Sequence, residues 1–306
     1  MRKSIITLLI VLLTFLFPIS KGQADQSLYL SANNAVLLDS ESREILFNLK
    51  AHEKQSVASV TKIMTAILAI EYGNETDIVE VSNRAVHTEG SSIYLTENEK
   101  IRLKDLLYGL MLRSGNDAAI AISEYIGGSV EGFVVLMNEK AKWLGMTNTS
   151  FKNPHGLESS NHYSTAYDIA ILLEYAMNNP LFQEISNTSS YLPSNRTYKW
   201  YNKNKLLTSL YEYCTGGKTG FTKKAGRTLA TTAKKEGREL IAVTLNAPDD
   251  WRDHIRMFEW GFENLETKGK KSTELEATSS NSLEQSNLIK IFAEQLKYLL
   301  GMMPND

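Results

Sequence analysis

The apolar positions of this chain change their spacing three times along its length. Ile5 to Phe17 is an almost unbroken apolar run, preceded by Arg2 and Lys3 and followed by the small-residue stretch Gly22-Gln23-Ala24. A basic flank, a short apolar core and a small-residue exit mark a secretory leader; about thirteen apolar residues fall short of the roughly twenty that a membrane span needs. Residues 1–24 are therefore expected to be a signal peptide and to stay out of the fold. Next comes a strand-like pair, Ala35 to Asp39 and Glu44 to Phe47, split by the polar turn Ser40 to Arg43. Helical spacing then takes over at Ser59 to Glu71, Leu103 to Leu112, Ala118 to Tyr125, Gly132 to Leu144 and Tyr167 to Met177. Strand-like runs return at Thr228 to Ala233 and Leu240 to Leu245. Strands at both ends with helices between predict an α+β fold, its sheet assembled from the two termini, flanked by helices and carrying an inserted helical lobe.

After Leu265 the pattern breaks. Residues 266–286 are polar, rich in Ser, Thr and Glu, and read as a solvated linker. Within 287–303 the residues Leu288, Ile291, Phe292, Leu296, Leu299 and Leu300 recur at helical spacing, with Lys290, Glu294 and Lys297 elsewhere on the wheel. That stripe is too short and too interrupted to cross a bilayer. It is expected to lie as an amphipathic helix on a membrane surface, packing on protein being the competing reading.

Charge and cysteine content narrow the function. Losing Arg2, Lys3 and Lys21 with the leader leaves 30 basic side chains against 35 acidic ones, a net charge of −5. An acidic mature chain does not fit a nucleic-acid partner. The single cysteine, Cys214, allows no intrachain disulfide, so residues 25–265 must be held by one core. Cys214 itself reads as a buried structural thiol.

Three short motifs supply the chemistry. Ser59-Val60-Thr61-Lys62 starts an apolar helical run, so Ser59 would sit at a positive helix end with Lys62 one turn away on the same face. A lysine within reach activates a serine hydroxyl that is otherwise a weak nucleophile. Ser114-Gly115-Asn116 falls at an expected tight turn between two helical runs. Lys218-Thr219-Gly220 lies in a Gly-rich, strand-prone stretch where a substrate backbone could approach a sheet edge. Taken singly, each has an ordinary counterpart: a capping serine with a solvated lysine, a capping turn, a Gly-marked hairpin. Ser-x-x-Lys occurs once in the chain, whereas Ser-x-Asn recurs at Ser31, Ser159 and Ser279. The order and context of the three together point to a serine acyl-transfer site built around lysines.

From about Ala35 to Leu265 the chain resembles the serine D-alanyl-D-alanine carboxypeptidases, the low-molecular-mass penicillin-binding proteins of peptidase family S11. Beyond the triplet, NPHGL (Asn153 to Leu157), STAYDIAIL (Ser164 to Leu172), NKNKLL (Asn202 to Leu207) and GGKTGFTKKAGRTL (Gly216 to Leu229) carry the likeness. Across Glu89 to Ala119 it is most similar to sporulation-associated members from Gram-positive spore formers. The resemblance implies the β-lactamase/DD-peptidase fold, with the site in the cleft between an antiparallel sheet and an α-helical subdomain. It implies Ser59 as nucleophile, Lys62 as its proton acceptor, Ser114 as a relay to the leaving group and Asn116 as a substrate and lysine orienter. Lys218 and Thr219 would hold the substrate carboxylate, and Gly220 and Phe221 would continue the binding edge, the Phe221 N–H joining that of Ser59 as oxyanion donors. Many relatives have His where this chain has Phe221. The expected partners are peptidoglycan stem peptides and, as inhibitors, β-lactams; no cofactor or metal is expected, and the protein would work outside the cytoplasmic membrane.

Four further residues bear on alternatives. A class A β-lactamase would need a loop glutamate, and Glu174-Tyr175-Ala176-Met177-Asn178 matches its pattern, although inside a helical run. A DD-endopeptidase would use the same chemistry on a larger leaving group. His155 and His162 suggest a Ser-His pair, but His155 belongs to the turn-like NPHGL segment and reads as a loop cap or brace. Arg252 falls near the position of a carboxylate-binding arginine in some relatives, in a stretch that aligns poorly.

Overall fold

The computed structural model describes residues 28–265. The expected leader, linker and amphipathic tail lie outside the described residues.

Five strands form one antiparallel sheet in the order β2-β1-β9-β8-β7: β1 Asn34–Asp39, β2 Ile45–Leu49, β7 Cys214–Thr222, β8 Gly226–Lys235 and β9 Arg238–Leu245. The N-terminal hairpin enters beside the last strand, Val36 facing Val243 and Leu38 facing Ile241. This is the sheet built from both chain ends that the sequence pattern predicts. Every residue of β1 is buried, because helices cover both faces of the sheet there. That explains its continuous apolar run in place of alternation. Short pairs β3 Ile78–Glu80 with β4 Lys100–Arg102, and β5 Ser190–Tyr191 with β6 Trp200–Tyr201, brace the inserted lobe.

Seven helices lie between the two halves of the sheet: α1 Lys62–Tyr72, α2 Asn83–Val86, α3 Leu103–Leu112, α4 Asn116–Gly127, α5 Val130–Trp143, α6 Ala166–Met177 and α7 Pro180–Ser186. Helix α1 is buried along most of its length and forms the axis around which α3, α4, α6 and one sheet face pack in a single apolar cluster. Local signals set the helix ends. Ser129 accepts from Gly132 N to start α5, Thr165 accepts from Asp168 N to start α6, and Gly128 ends α4 at φ 69°. An eighth helix, α8 at residues 250–265, covers the other sheet face through Met257, Phe258 and Phe262. The sequence reading missed α8, because its apolar positions are interleaved with Asp253, Arg256 and Glu259. It also began the first helix at Ser59, whereas Ala58–Thr61 is a 3₁₀ turn and the α-helix starts at Lys62.

His162 and His254 are buried without charge partners, and His155 is half-buried. His254 bridges the hydroxyls of Thr231 on β8 and Thr244 on β9. Burial pushes its pKa down to about 3, and likewise lowers His155 to about 3 and His162 to about 4. Unfolding returns each to about 6.5. Above that pH they are neutral in both states; below it the unfolded chain takes up protons that the folded chain refuses. Stability therefore falls as pH drops through 6.5, by up to about 1.4 kcal/mol per pH unit for each histidine. Urea midpoints at pH 6.5, 5.5 and 4.5 check this: a midpoint that declines across the series is expected, and equal midpoints throughout would contradict it.

Candidate active site

The three motifs meet where the 3₁₀ turn, the α3–α4 junction and β7 come together. Lys62 Nζ lies 3.0 Å from Ser59 Oγ, 2.7 Å from Asn116 Oδ1 and 2.6 Å from the His155 carbonyl oxygen. Asn116 Nδ2 donates to the Glu89 carbonyl at 2.6 Å, which fixes the amide so that its oxygen faces the lysine. Lys62 is fully buried, and burial first, then the charges of Lys218 and Lys203, hold its pKa well below the ordinary lysine value. The solvated first-turn lysine is thereby excluded. A neutral amine has two hydrogens and one lone pair. Two of its three neighbours are carbonyl oxygens that can only accept, so both hydrogens go to Asn116 and His155, and the lone pair is left for the Ser59 O–H. The acceptor arrangement orients the base.

Lys218, also buried, donates to Ser114 Oγ at 3.1 Å and to the Thr219 carbonyl at 2.8 Å. Its pKa is lowered to about 7 by burial and by the charge of Lys203. Ser114 adopts φ 64°, a left-handed conformation unusual for a serine, and this sharp turn sets its hydroxyl between α3 and β7.

Strand β7 ends the sheet, so one of its sides has no strand partner. Its inner part is closed by Ser186 at the end of α7, which accepts from Gly217 N at 2.7 Å. Gly217 N–H thus points away from β8. Because N–H direction alternates every second residue and the β7–β8 register is regular from Gly216 to Thr222, the N–H groups of Thr219 and Phe221 point the same way, into the cleft. Gly220 has a steric reason to be glycine: a Cβ there would clash with Thr228 Oγ1 and sit 2.9 Å from Ser59 N. The strand edge and the nucleophile's backbone are thus in direct apposition. All eight site residues expected from sequence, Ser59, Lys62, Ser114, Asn116, Lys218, Thr219, Gly220 and Phe221, border this one cleft; the Phe221 ring is exposed at its lip.

Sequence reasoning missed several supports. The NPHGL loop clamps the nucleophile turn. Gly156, at φ 88°, leaves no room for a Cβ against the Ala58 carbonyl, and Thr65 Oγ1 donates to the Pro154 carbonyl at 2.6 Å. His155 enters the site through its carbonyl, while its ring Nδ1 accepts from Leu157 N. His162 Nδ1 accepts from Lys152 N, which leaves Nε2–H to donate to Thr61 Oγ1 at 3.0 Å. Both histidines brace loops, a role the sequence reading gave to His155 alone. Asp117, buried beside Asn116, accepts from Ser92 Oγ and from the backbone N–H of Ile93, Leu95 and Ala118. Lys203, exposed, reaches Ser91 Oγ at 3.4 Å and lowers the pKa of both buried lysines by its charge. The Ser114-Gly115-Asn116-Asp117 and Asn202-Lys203-Asn204 stretches in the sequence were the available signals for these two.

Other candidates fall elsewhere. Glu174 is buried on α6 in an ion pair with Arg43 of the first hairpin, 2.9 Å apart. Arg252 is exposed and paired with Asp249 at 3.3 Å. Cys214 is buried against Asn204 and the Gly216 carbonyl, its pKa raised to about 11 by burial, which marks an inert thiol. Among the described residues no three His, Cys, Asp or Glu side chains come together as a metal site.

Residues 21–249 match the Peptidase_S11 family, described as D-alanyl-D-alanine carboxypeptidase. The chain is 37% identical to the D-alanyl-D-alanine carboxypeptidase DacF of Bacillus subtilis (strain 168) over 283 residues, covering 87% of this chain and 72% of that one. It is 34% identical over 270 residues to DacC of Escherichia coli (strain K12), covering 83% and 67%. Among solved structures, penicillin binding protein 5 of Haemophilus influenzae aligns with TM-score 0.72 at 31% identity over 77% of this chain and 72% of that one. A D-alanyl-D-alanine carboxypeptidase of Mycobacterium tuberculosis H37Rv aligns with TM-score 0.72 at 28% identity over 76% and 91%. With the cleft assembled from the serine–lysine turn, the Ser-Gly-Asn junction and the Lys-Thr-Gly edge, and with these matches spanning most of it, the chain belongs to the S11 family of D-alanyl-D-alanine carboxypeptidases.

Proposed function

We propose that this protein removes the terminal D-alanine from peptidoglycan stem peptides through an acyl-enzyme on Ser59, and that penicillin acylates the same serine. The observation that carries this reading is the buried Lys62 amine, aimed at Ser59 Oγ by two carbonyl acceptors. Lys62 takes the Ser59 proton as Oγ attacks the carbonyl carbon of the D-Ala-D-Ala bond. The oxyanion that develops is stabilised by the N–H groups of Ser59 and Phe221, the second of which the strand alternation turns into the cleft. Ser114, bonded to Lys218, passes a proton to the leaving amine. Lys218 and the Thr219 hydroxyl receive the terminal carboxylate, and the free edge of β7 pairs with the peptide backbone. The acyl-enzyme is then released by water. A peptide crosslink presents the same bond with a larger leaving group, and the same residues would act on it.

Export through the leader-like residues 1–24, catalysis by a domain spanning 25–265, and attachment of residues 287–303 to the outer face of the cytoplasmic membrane beyond the 266–286 linker are part of the same reading. They are supported by the sequence pattern.

The nucleophile is tested by Ser59→Ala, which is expected to abolish labelling by penicillin and D-alanine release from a D-Ala-D-Ala peptide at an unchanged thermal midpoint. Labelling that survives, or an adduct mapped to Ser114 or Cys214 by mass spectrometry, would refute it. Lys62→Ala is expected to slow acylation by about 10²–10⁴, the usual worth of general-base assistance.

Lys203 sets the pH at which the base works. Its charge depresses both buried lysines, so Lys203→Met raises their pKa values; the neutral amine then appears only at higher pH, and the rising limb of the acylation rate moves upward in pH. Lys203→Arg keeps the charge and is expected to keep the limb in place. Superimposable pH profiles for wild type and Lys203→Met would remove this role.

Glu174, paired with Arg43, is not placed as in a class A β-lactamase to hydrolyse the penicilloyl ester. A stoichiometric burst with little turnover of a chromogenic cephalosporin is expected, the same in wild type and Glu174→Gln; sustained turnover lost in the variant would favour the β-lactamase reading.

A further inference from the structure

Two exposed tyrosines lie on segments that adjoin the site, and neither ring makes a hydrogen bond or ring contact among the described residues. Ile93 and Trp200 both pack on Gly109 of α3, where a Cβ would lie 2.7 Å from Ile93 Cδ1 and 3.2 Å from Trp200 Cζ3. Both are buried, and the next residue after each, Tyr94 and Tyr201, is 79% and 63% exposed. Tyr94 has φ 61°, a conformation that costs a bulky L-residue free energy which its exposed ring does not recover by burial.

The surrounding loop imposes that conformation. Asp117 accepts from the N–H groups of Ile93 and Leu95, on either side of Tyr94, and from Ser92 Oγ, which in turn accepts from Tyr94 N at 2.8 Å. The start of the same loop touches the catalytic apparatus: the Ser91 carbonyl accepts from Asn116 N and the Glu89 carbonyl from Asn116 Nδ2. Tyr201 is tied to the same rim. Arg113 donates to its carbonyl at 3.3 Å, and Lys203, two residues on, reaches Ser91 Oγ. Rigid, outward-facing aromatic rings continuous with a substrate cleft are recognition elements, since little side-chain freedom is lost when they bind.

The occupant follows from the substrate's chemistry. A stem of four residues ahead of the scissile bond reaches at most about 14 Å, so the sugar that carries it stays at the mouth of the cleft. Lys203 and Arg113 beside the tyrosines disfavour an amine-bearing side chain of the peptide. A neutral, hydroxyl-rich ring fits: its C–H face lies on the apolar face of a phenol, and its hydroxyls meet the phenolic O–H. We propose that Tyr94 and Tyr201 form a saccharide-binding platform that makes glycan-linked stem peptides better substrates than free ones, an inference that rests on the carboxypeptidase reading above.

The test uses Tyr94→Asn, which tolerates the left-handed backbone, combined with Tyr201→Thr, which keeps strand preference. Insoluble glycan strands stripped of peptide are expected to retain the wild-type protein and to retain the double variant about fivefold less, with Tyr94→Phe close to wild type. On disaccharide-linked pentapeptide the double variant is expected to lose about fivefold in kcat/KM while staying within about twofold on the free pentapeptide. No retention of the wild type, equal retention of both proteins, or equal losses on the two substrates would overturn the platform. Retention on stripped glycan with no D-alanine released from either substrate would support the platform and instead count against the carboxypeptidase reading.

Discussion

The site depends on one buried amine. A lysine fully removed from water is costly as a cation, and the same burial that fills the core around α1 lowers the Lys62 pKa, which is what its proposed role as base requires. Its partners come from the 3₁₀ turn beneath it and from two distant pieces of chain, Asn116 at the head of α4 and the His155 carbonyl in the NPHGL loop. Each piece is then fixed in its own right, Asn116 by Glu89, the loop by Thr65 and by the contact of Gly156 with Ala58, and the turn by His162. Ala58 and Ser114, both with positive φ, mark where the chain is bent to bring these pieces together. Such strain persists only where surrounding contacts over-determine it.

A second constraint is the unfinished sheet. Strand β7 would be a hazard if its whole edge were open. Ser186 closes the inner part by taking the Gly217 N–H, and the nucleophile turn covers Gly220. What remains open is the length of one short peptide, with Thr219 and Phe221 N–H facing outward. The fold thus limits what can add to its edge by controlling where that edge is free.

Electrostatics links the two. Beyond burial, the charges of Lys218 and Lys203 depress Lys62 and that of Lys203 depresses Lys218, while Asp117, which opposes them at Lys62, is already engaged by four donors. The buried lysines thus lie in a positive field that lowers the pKa of each. Lys203 belongs to this network although it touches neither Ser59 nor Lys62.

The sequence by itself determined what short spacing can encode. Ser59 and Lys62 share a face because they are three residues apart, β1 and β9 read as buried strands because their apolar runs are continuous, and α3 and α4 had to turn at Ser114-Gly115-Asn116. The tertiary structure alone decided what depends on distant segments: that Lys62 is buried, that His155 matters through its carbonyl and not its ring, that Asp117 and Lys203 serve the site, and that Glu174 does not. Residues 250–265 were illegible for the same reason in reverse, since a helix that covers a sheet needs only a narrow apolar face. Periodicity is a property of neighbours in sequence, whereas burial, a strand's free edge and the charge around an amine are set by segments up to two hundred residues apart, and only the folded chain brings those together.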